Sequence, residues 1–341
     1  MFSSRDHVQN FYINIAITIG IGGTIFFIGT IISFNVFLFL PGDPVYALLE
    51  AMGITDPLPD LVAAYRDQLG FDLPIFLRYF RYLGDIFTGD WGVSVSVARQ
   101  TPVRELIATR FPRTIDLMMV SSIISVGCGI ILGKYLAKNR GSIQDKIVQL
   151  ANIIGISLPI FFLGMLFQYY LAFQFPIFPG TYYKNIDFED PPFVTGFYII
   201  DAFLSGQFYK IPDYIYHLIL PVTCLTIISF SLVTIITRSY MLNQSRDKSV
   251  MSNSVVTGFL FGFMFMFTML VETTFGLNGF GSLLVSAINL IDFWLISASL
   301  NILIIMFVII TLISNFGYSL HKFLKAREFG YRIEPKLEED M

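Results

Sequence analysis

Glu272 is the one acidic residue in a long apolar run, and three glycines, Gly276, Gly279 and Gly281, follow it in Val271-Glu-Thr-Thr-Phe-Gly-Leu-Asn-Gly-Phe-Gly-Ser282. A carboxylate so placed has two uses. It can face a water-filled path and meet a polar solute there, because an ionisable group in an apolar span is costly unless it faces protein or water. It can equally accept hydrogen bonds from the backbone N–H groups of the glycine turn, which is a structural role. The glycines neither follow a strand nor open a βαβ unit, so they do not form a dinucleotide loop. No G-x-x-x-x-G-K-[ST] is present to cradle nucleotide phosphates, no H-E-x-x-H to hold zinc and no G-x-S-x-G to expose a nucleophile. His7, His217 and His321 are scattered, whereas a zinc site needs converging ligands. Cys128 and Cys224 lack C-x-x-C spacing and read as small core residues. Isolated acids such as Asp116 and Glu272 do not supply the convergent groups of an intramembrane protease or oxidase. The expectation is a chain without catalysis, cofactor or metal of its own.

The elements that must position Glu272 are membrane spans. With 55% hydrophobic residues, 36 Phe and 14% charged residues, the chain carries more apolar surface than one soluble core can bury. A net charge of -3 provides no basic field for nucleic acid. Six apolar stretches, 11–40, 115–136, 147–173, 214–237, 255–275 and 293–320, are long enough to cross about 30 Å of hydrocarbon. The first is about twice the length of a signal-peptide core and reads as a retained anchor. Lys134, Lys138, Arg140 and Lys146 follow span two; Arg238, Arg246 and Lys248 follow span four; Lys322, Lys325, Arg327, Arg332 and Lys336 follow span six. The positive-inside rule makes that side, and both termini, cytoplasmic. The opposite connections, 174–213 and 276–292, are rich in Asp and Glu.

Residues 41–113 carry helical punctuation and fall on the external side, where a segment of that length crosses largely regardless of its charge. Asp60 is placed to cap a helix ending at Gly70, Pro74 opens a second that Gly89 closes, and Pro102 occupies the first position of a third. In the second, Ile75, Tyr79, Tyr82 and Ile86 share a face, which predicts a scaffold or interfacial helix packed on the spans. The predicted fold is an all-α integral membrane protein with six transmembrane helices and a long external helical segment between spans one and two. Its divisions are 1–40, 41–113, a core with five spans at 114–320 and a tail at 321–341.

The chain resembles the membrane-spanning permease subunit of ABC importers for dipeptides, oligopeptides and nickel, the first of the paired permeases. The resemblance runs in order through most of the sequence: Leu40-Pro-Gly-Asp-Pro-Val45, Gln68-Leu-Gly-Phe-Asp-Leu-Pro74, Arg81-Tyr-Leu-Gly-Asp-Ile-Phe-Thr-Gly-Asp-Trp-Gly92, Thr101-Pro-Val-Arg-Glu-Leu-Ile107, Phe111-Pro-Arg-Thr-Ile115, Ser157-Leu-Pro-Ile-Phe-Phe-Leu-Gly164, His217-Leu-Ile-Leu-Pro-Val222, Thr237-Arg-Ser-Tyr-Met-Leu242 and 271–288. It implies a second permease subunit, two cytoplasmic ATPases that bind ATP, an external solute-binding protein and surrounding membrane lipid, with no nucleic acid. It places Glu272, Gly276, Gly279 and Gly281 near an external gate, and Pro41, Gly42, Asp43 and Pro44 in an external turn. One departure is large. The family's cytoplasmic coupling hairpin between spans four and five is reduced to Asn243-Gln-Ser-Arg-Asp-Lys-Ser249, leaving Arg238, Arg246 and Lys248 as candidate residual cytoplasmic contacts. A second reading therefore stands beside the first: a permease-derived structural or assembly subunit without ATPase coupling.

Overall fold

The computed structural model describes residues 4–242 and 250–339, with side chains at 11–242, 260–321, 323 and 324. The described chain is helical: α1 Ser4–Phe39, α2 Pro44–Ala51, α3 Pro59–Leu69, α4 Ile75–Thr88, α5 Val103–Lys138, α6 Ile143–Ser157, α7 Ile160–Phe167, α8 Tyr198–Leu204, α9 Lys210–Leu242, α10 Val250–Phe275, α11 Phe280–Asn289 and α12 Phe293–Glu339. A π-helical stretch, Gln168–Gln174, continues α7. Among the described residues, four helices are by themselves long and apolar enough to cross a membrane: α1, α5, α9 and α12. Two more crossings exist if each bent pair is one span, α6 with α7 and its π-helical extension, and α10 with α11, so the count is four to six.

The first bend departs from the uniform span expected at 147–173, whereas the second falls just after the span expected at 255–275, which is one unbroken helix. The first pair turns by 94° at Leu158-Pro159, where the missing proline N–H and its ring push Leu158 out of the helical region, to φ -75 and ψ 127. The second turns by 79° at the glycines, and the expected external loop 276–292 contains a ten-residue helix, α11. The expected division at 113, between the external segment and span two, falls inside one helix, because α5 runs through Pro112 without a break. Pro102 caps α5, one position before its expected place, and Leu58 caps α3 in place of Asp60, which sits in its first turn.

The most extensive helix pairing among the described residues is between α5 and α9, and small side chains permit it. Ser121, Ser125, Gly129 and Gly133 recur every four residues on one face of α5. A Cβ on Gly133 would lie 2.8 Å from the Thr234 carbonyl oxygen, and one on Gly129 would lie 2.8 Å from Val233. Ser125 and Ser229 hydroxyls meet across the seam at 2.6 Å. Cys224 is buried in this region, whereas Cys128 is exposed on α5, against the expectation that both are core residues. Its position one residue before Gly129 turns it away from the seam.

Segment 41–113 folds onto the ends of α1 and α12. Gly70 and Gly89 close α3 and α4 in the left-handed conformation, as their glycines predict. Tyr79 and Tyr82 fasten α4: Tyr79 bonds the Thr30 hydroxyl at 2.9 Å, while Tyr82 bonds Ser33 at 2.8 Å and accepts from Asn301 at 2.8 Å and Ser297 at 3.1 Å. Ile86 is buried, but Ile75 at the start of the predicted face is exposed because the helix has not yet reached the spans there. Asp292 completes the attachment. Fully buried at the start of α12, it accepts from Ser94 at 2.5 Å and from the N–H groups of Val95, Ser96 and Val97 at 3.0–3.1 Å.

Candidate functional site at the glycine turn

Gly276 turns the chain after α10 with φ 64, and Asn278 follows with φ 51. These left-handed positions bring the N-terminus of α11 back beside Glu272, which is 1% exposed. One carboxylate oxygen accepts from the Thr114 hydroxyl of α5, and the other accepts from the Ser282 N–H at 2.9 Å. Thr114 in turn accepts from the Phe280 N–H at 2.7 Å. A single hydroxyl therefore joins α5, α10 and α11. The arrangement uses two otherwise unpaired N–H groups of a helix start, where the helix dipole also favours a negative group.

Two of the three glycines are explained by the carboxylate itself. A Cβ on Gly279 would overlap both Glu272 oxygens, and one on Gly281 would come within 2.9 Å of Glu272 and of the Met269 backbone. Of the two roles open to Glu272 in the sequence, its contacts realise the backbone-bonding one and add Thr114.

Around this joint lies a more polar layer that the sequence did not single out. Arg110 and Arg113 reach Asn278 at 3.2–3.5 Å, and Arg113 also pairs with Asp190 at 3.2 Å. Its guanidinium lies 4.1 Å from the centre of the Tyr183 ring, and the Tyr183 hydroxyl donates to Asp190 at 2.8 Å. Burial raises the Tyr183 hydroxyl well above the usual tyrosine range. The Tyr182 N–H donates to the Phe275 carbonyl at 2.8 Å, so the 174–213 connection closes over the turn. Tyr214 bonds Asp116 at 2.9 Å beneath it. An arginine pair three residues apart, Arg110 and Arg113, at the entry of a span was the available signal. Its partners lie about 80 and 165 residues away in sequence, as the numbering of Asp190 and Asn278 shows.

The other predicted positions lie elsewhere. Pro41, Gly42, Asp43 and Pro44 form the turn from α1 into α2; Gly42 takes φ 103, and Asp43 caps α2 through the Val45 N–H at 2.9 Å while pairing with Arg66. Arg238 is at the opposite end of the bundle. It binds both oxygens of buried Asp145 at 2.8 Å, and Asp145 also accepts from Gly141 N–H and the Gln149 amide at 2.9 Å. Arg246 and Lys248, with the short link 243–249, lie outside the described residues.

The sequence matches two linked family profiles. Residues 14–118 match the N-terminal membrane component of binding-protein-dependent transport systems, and residues 126–253 match the family described as "Binding-protein-dependent transport system inner membrane component". The chain is 30% identical to the probable D,D-dipeptide transport system permease protein DdpB of Escherichia coli K12, over 84% of this chain and 90% of that protein. It is 28% identical to the dipeptide transport system permease protein DppB of Alkalihalophilus pseudofirmus, over 85% and 92%, and 26% identical to the di/tripeptide permease DppB of Pseudomonas aeruginosa, over 86% and 93%. Helices suited to crossing a membrane, joined in this order and matched along nearly the whole of a dipeptide permease, establish the family: the chain belongs to the inner-membrane permease components of binding-protein-dependent, dipeptide-type ABC transport systems.

Proposed function

We propose that this chain is one of two permease subunits of an ATP-driven importer for peptides or related small solutes, and that it forms one wall of the translocation path. The observation that carries this reading is the similarity to a D,D-dipeptide permease over nine-tenths of that protein's length. In this reading the two bent pairs complete six spans, both termini are cytoplasmic and segment 41–113 lies outside with the glycine turn. A second permease faces the chain, two ATPases lie beneath it and a solute-binding protein docks above. The chain itself carries no catalytic step; alternating access is a rocking of helices driven by ATPase closure.

The glycine turn is the outer gate in this scheme. Glu272 holds α11 to α5 through a hydroxyl and backbone N–H groups, contacts that a rearrangement of α11 can break and remake. The test is a reconstituted transporter in proteoliposomes. Peptide-loaded binding protein should stimulate ATP hydrolysis and peptide uptake in complexes containing this chain; a complex that assembles yet shows neither, or cells whose peptide uptake is unchanged after deletion of the chain, contradicts the reading.

A further inference from the structure

Both tryptophans of the chain, Trp91 and Trp294, line one cavity of about 190 Å³ beside the Phe39 end of α1 and the Phe293 start of α12. Tryptophan concentrates at the membrane–water boundary, where its ring meets hydrocarbon and its N–H meets water. The charged lining is balanced: Arg78 and Arg81 against Asp85 and Asp90. The Arg78 guanidinium lies 5.1 Å from the centre of the Phe71 ring, and Arg81 donates to the Gln68 carbonyl at 2.7 Å. Among the described residues neither arginine is in a salt bridge.

Helix α4 presents three faces to three environments. Tyr79, Tyr82 and Ile86 pack on the spans, and Arg78, Arg81 and Asp85 share the cavity side. Phe76, Phe80 and Phe87 form a stripe on a third face and are 60%, 65% and 75% exposed. The Phe87 ring meets Phe26 at 5.7 Å, and the adjoining Phe27 is exposed on α1 with Ile28, Ile31 and Ile32. The stripe is therefore continuous with the outer apolar surface of a spanning helix.

We propose that this cavity holds the headgroup of a zwitterionic, ethanolamine-type phospholipid, its phosphate against Arg78 and Arg81 and its ammonium against Asp85 and Asp90, with Phe76, Phe80 and Phe87 beside its acyl chains. Guanidinium groups match phosphate oxygens in geometry and charge. Phosphatidylglycerol would supply the phosphate but set only neutral hydroxyls, and no cation, against the two carboxylates, and a choline headgroup has no N–H to donate to them. The assignment requires only that α1 and α12 span the bilayer, so it stands or falls separately from peptide transport.

Native mass spectrometry tests it on the full chain purified with its accompanying subunits and titrated with phosphatidylethanolamine or phosphatidylglycerol. The unaltered protein should retain phosphatidylethanolamine preferentially, and the Arg78→Gln/Arg81→Gln double variant should retain about tenfold less. Arg99→Gln removes an exposed arginine of the same segment outside the cavity and should change nothing. Asp85→Asn with Asp90→Asn should shift preference toward phosphatidylglycerol. Equal retention of both lipids by the unaltered protein, undiminished retention in the double arginine variant or an equal loss in Arg99→Gln overturns the proposal. Displacement of the lipid by millimolar inorganic phosphate would assign the cavity to a free anion and overturn it too.

Discussion

At one end of the helix bundle Glu272 is held by a threonine hydroxyl and a backbone N–H; at the other, Asp145 is held by both arms of the Arg238 guanidinium. Both carboxylates are buried and both join helices distant in sequence. The donors differ in kind. A bidentate guanidinium pair is stronger and geometrically stricter than bonds from neutral donors, and losing one partner strands the other charge. The Gly141 end is thus built as a fixed clamp between α6 and α9. The Gly276 end is held by neutral donors, whose bonds are weaker and less strict in geometry, as the outer gate proposed above requires.

Substitution breaks the comparison most sharply at the glycines. Gly279→Val drives a side chain into the Glu272 carboxylate and should destabilise the protein by about 3 kcal/mol or more, abolishing uptake. Gly141→Ala meets no atom within 4 Å and bears only the strain of φ 84, so it should cost about 1 kcal/mol and spare transport. Thermal unfolding of the purified complexes compares the two. If both glycines behave alike, close approach is not what Gly279 provides.

Next in size is Arg238→Ala, which leaves Asp145 buried without its cation. Its unfolding midpoint should fall further than that of Thr114→Val, and adding Asp145→Asn should restore part of the loss. Thr114→Val removes one donor and one acceptor from the joint, with an expected cost of about 1–3 kcal/mol. A larger loss in Thr114→Val than in Arg238→Ala would reverse the ranking of the two ends.

The smallest effect concerns a third carboxylate, outside the spans. Burial works against the charge of Asp201, but the Thr195 hydroxyl and the N–H groups of Thr195, Val194 and Gly196 outweigh it and hold its pKa below the usual aspartate value. A lowered folded pKa contributes stability above the unfolded value of about 4, and that contribution is lost as pH falls through the lower folded value. Limited proteolysis at residues 193–197 should therefore rise below about pH 4. Asp201→Asn should flatten that dependence; an unchanged profile would remove Asp201 as its source.

How far these regions were legible in the sequence follows from the range of the forces that shape them. Apolar length located the spanning helices, and the glycines at 70 and 89 located the ends of α3 and α4, because both signals are local. Pro112 and Pro159 carry the same local signal, yet α5 continues through the first while the chain turns by 94° at the second, because the surrounding helices decide which proline becomes a break. At the site, Glu272 and its glycines stood out by contrast with their apolar surroundings. Thr114, Asn278 and Asp190 did not, because a polar residue at a span end is unremarkable until folding brings it to its partner. Asp292 read only as external charge, while its nest of N–H groups lies almost 200 residues earlier. The family resemblance was legible for the opposite reason, being spread over many short segments in fixed order.

Amide hydrogen exchange measured on the assembled transporter, resting and with its ATPases trapped after ATP binding, tests the contrast between joint and clamp most directly. The account predicts that the Phe280 and Ser282 N–H groups lose protection in the trapped state while the Gly141 N–H, bonded to Asp145, keeps its own. Unchanged protection at Phe280 and Ser282, or an equal loss at Gly141, would contradict it.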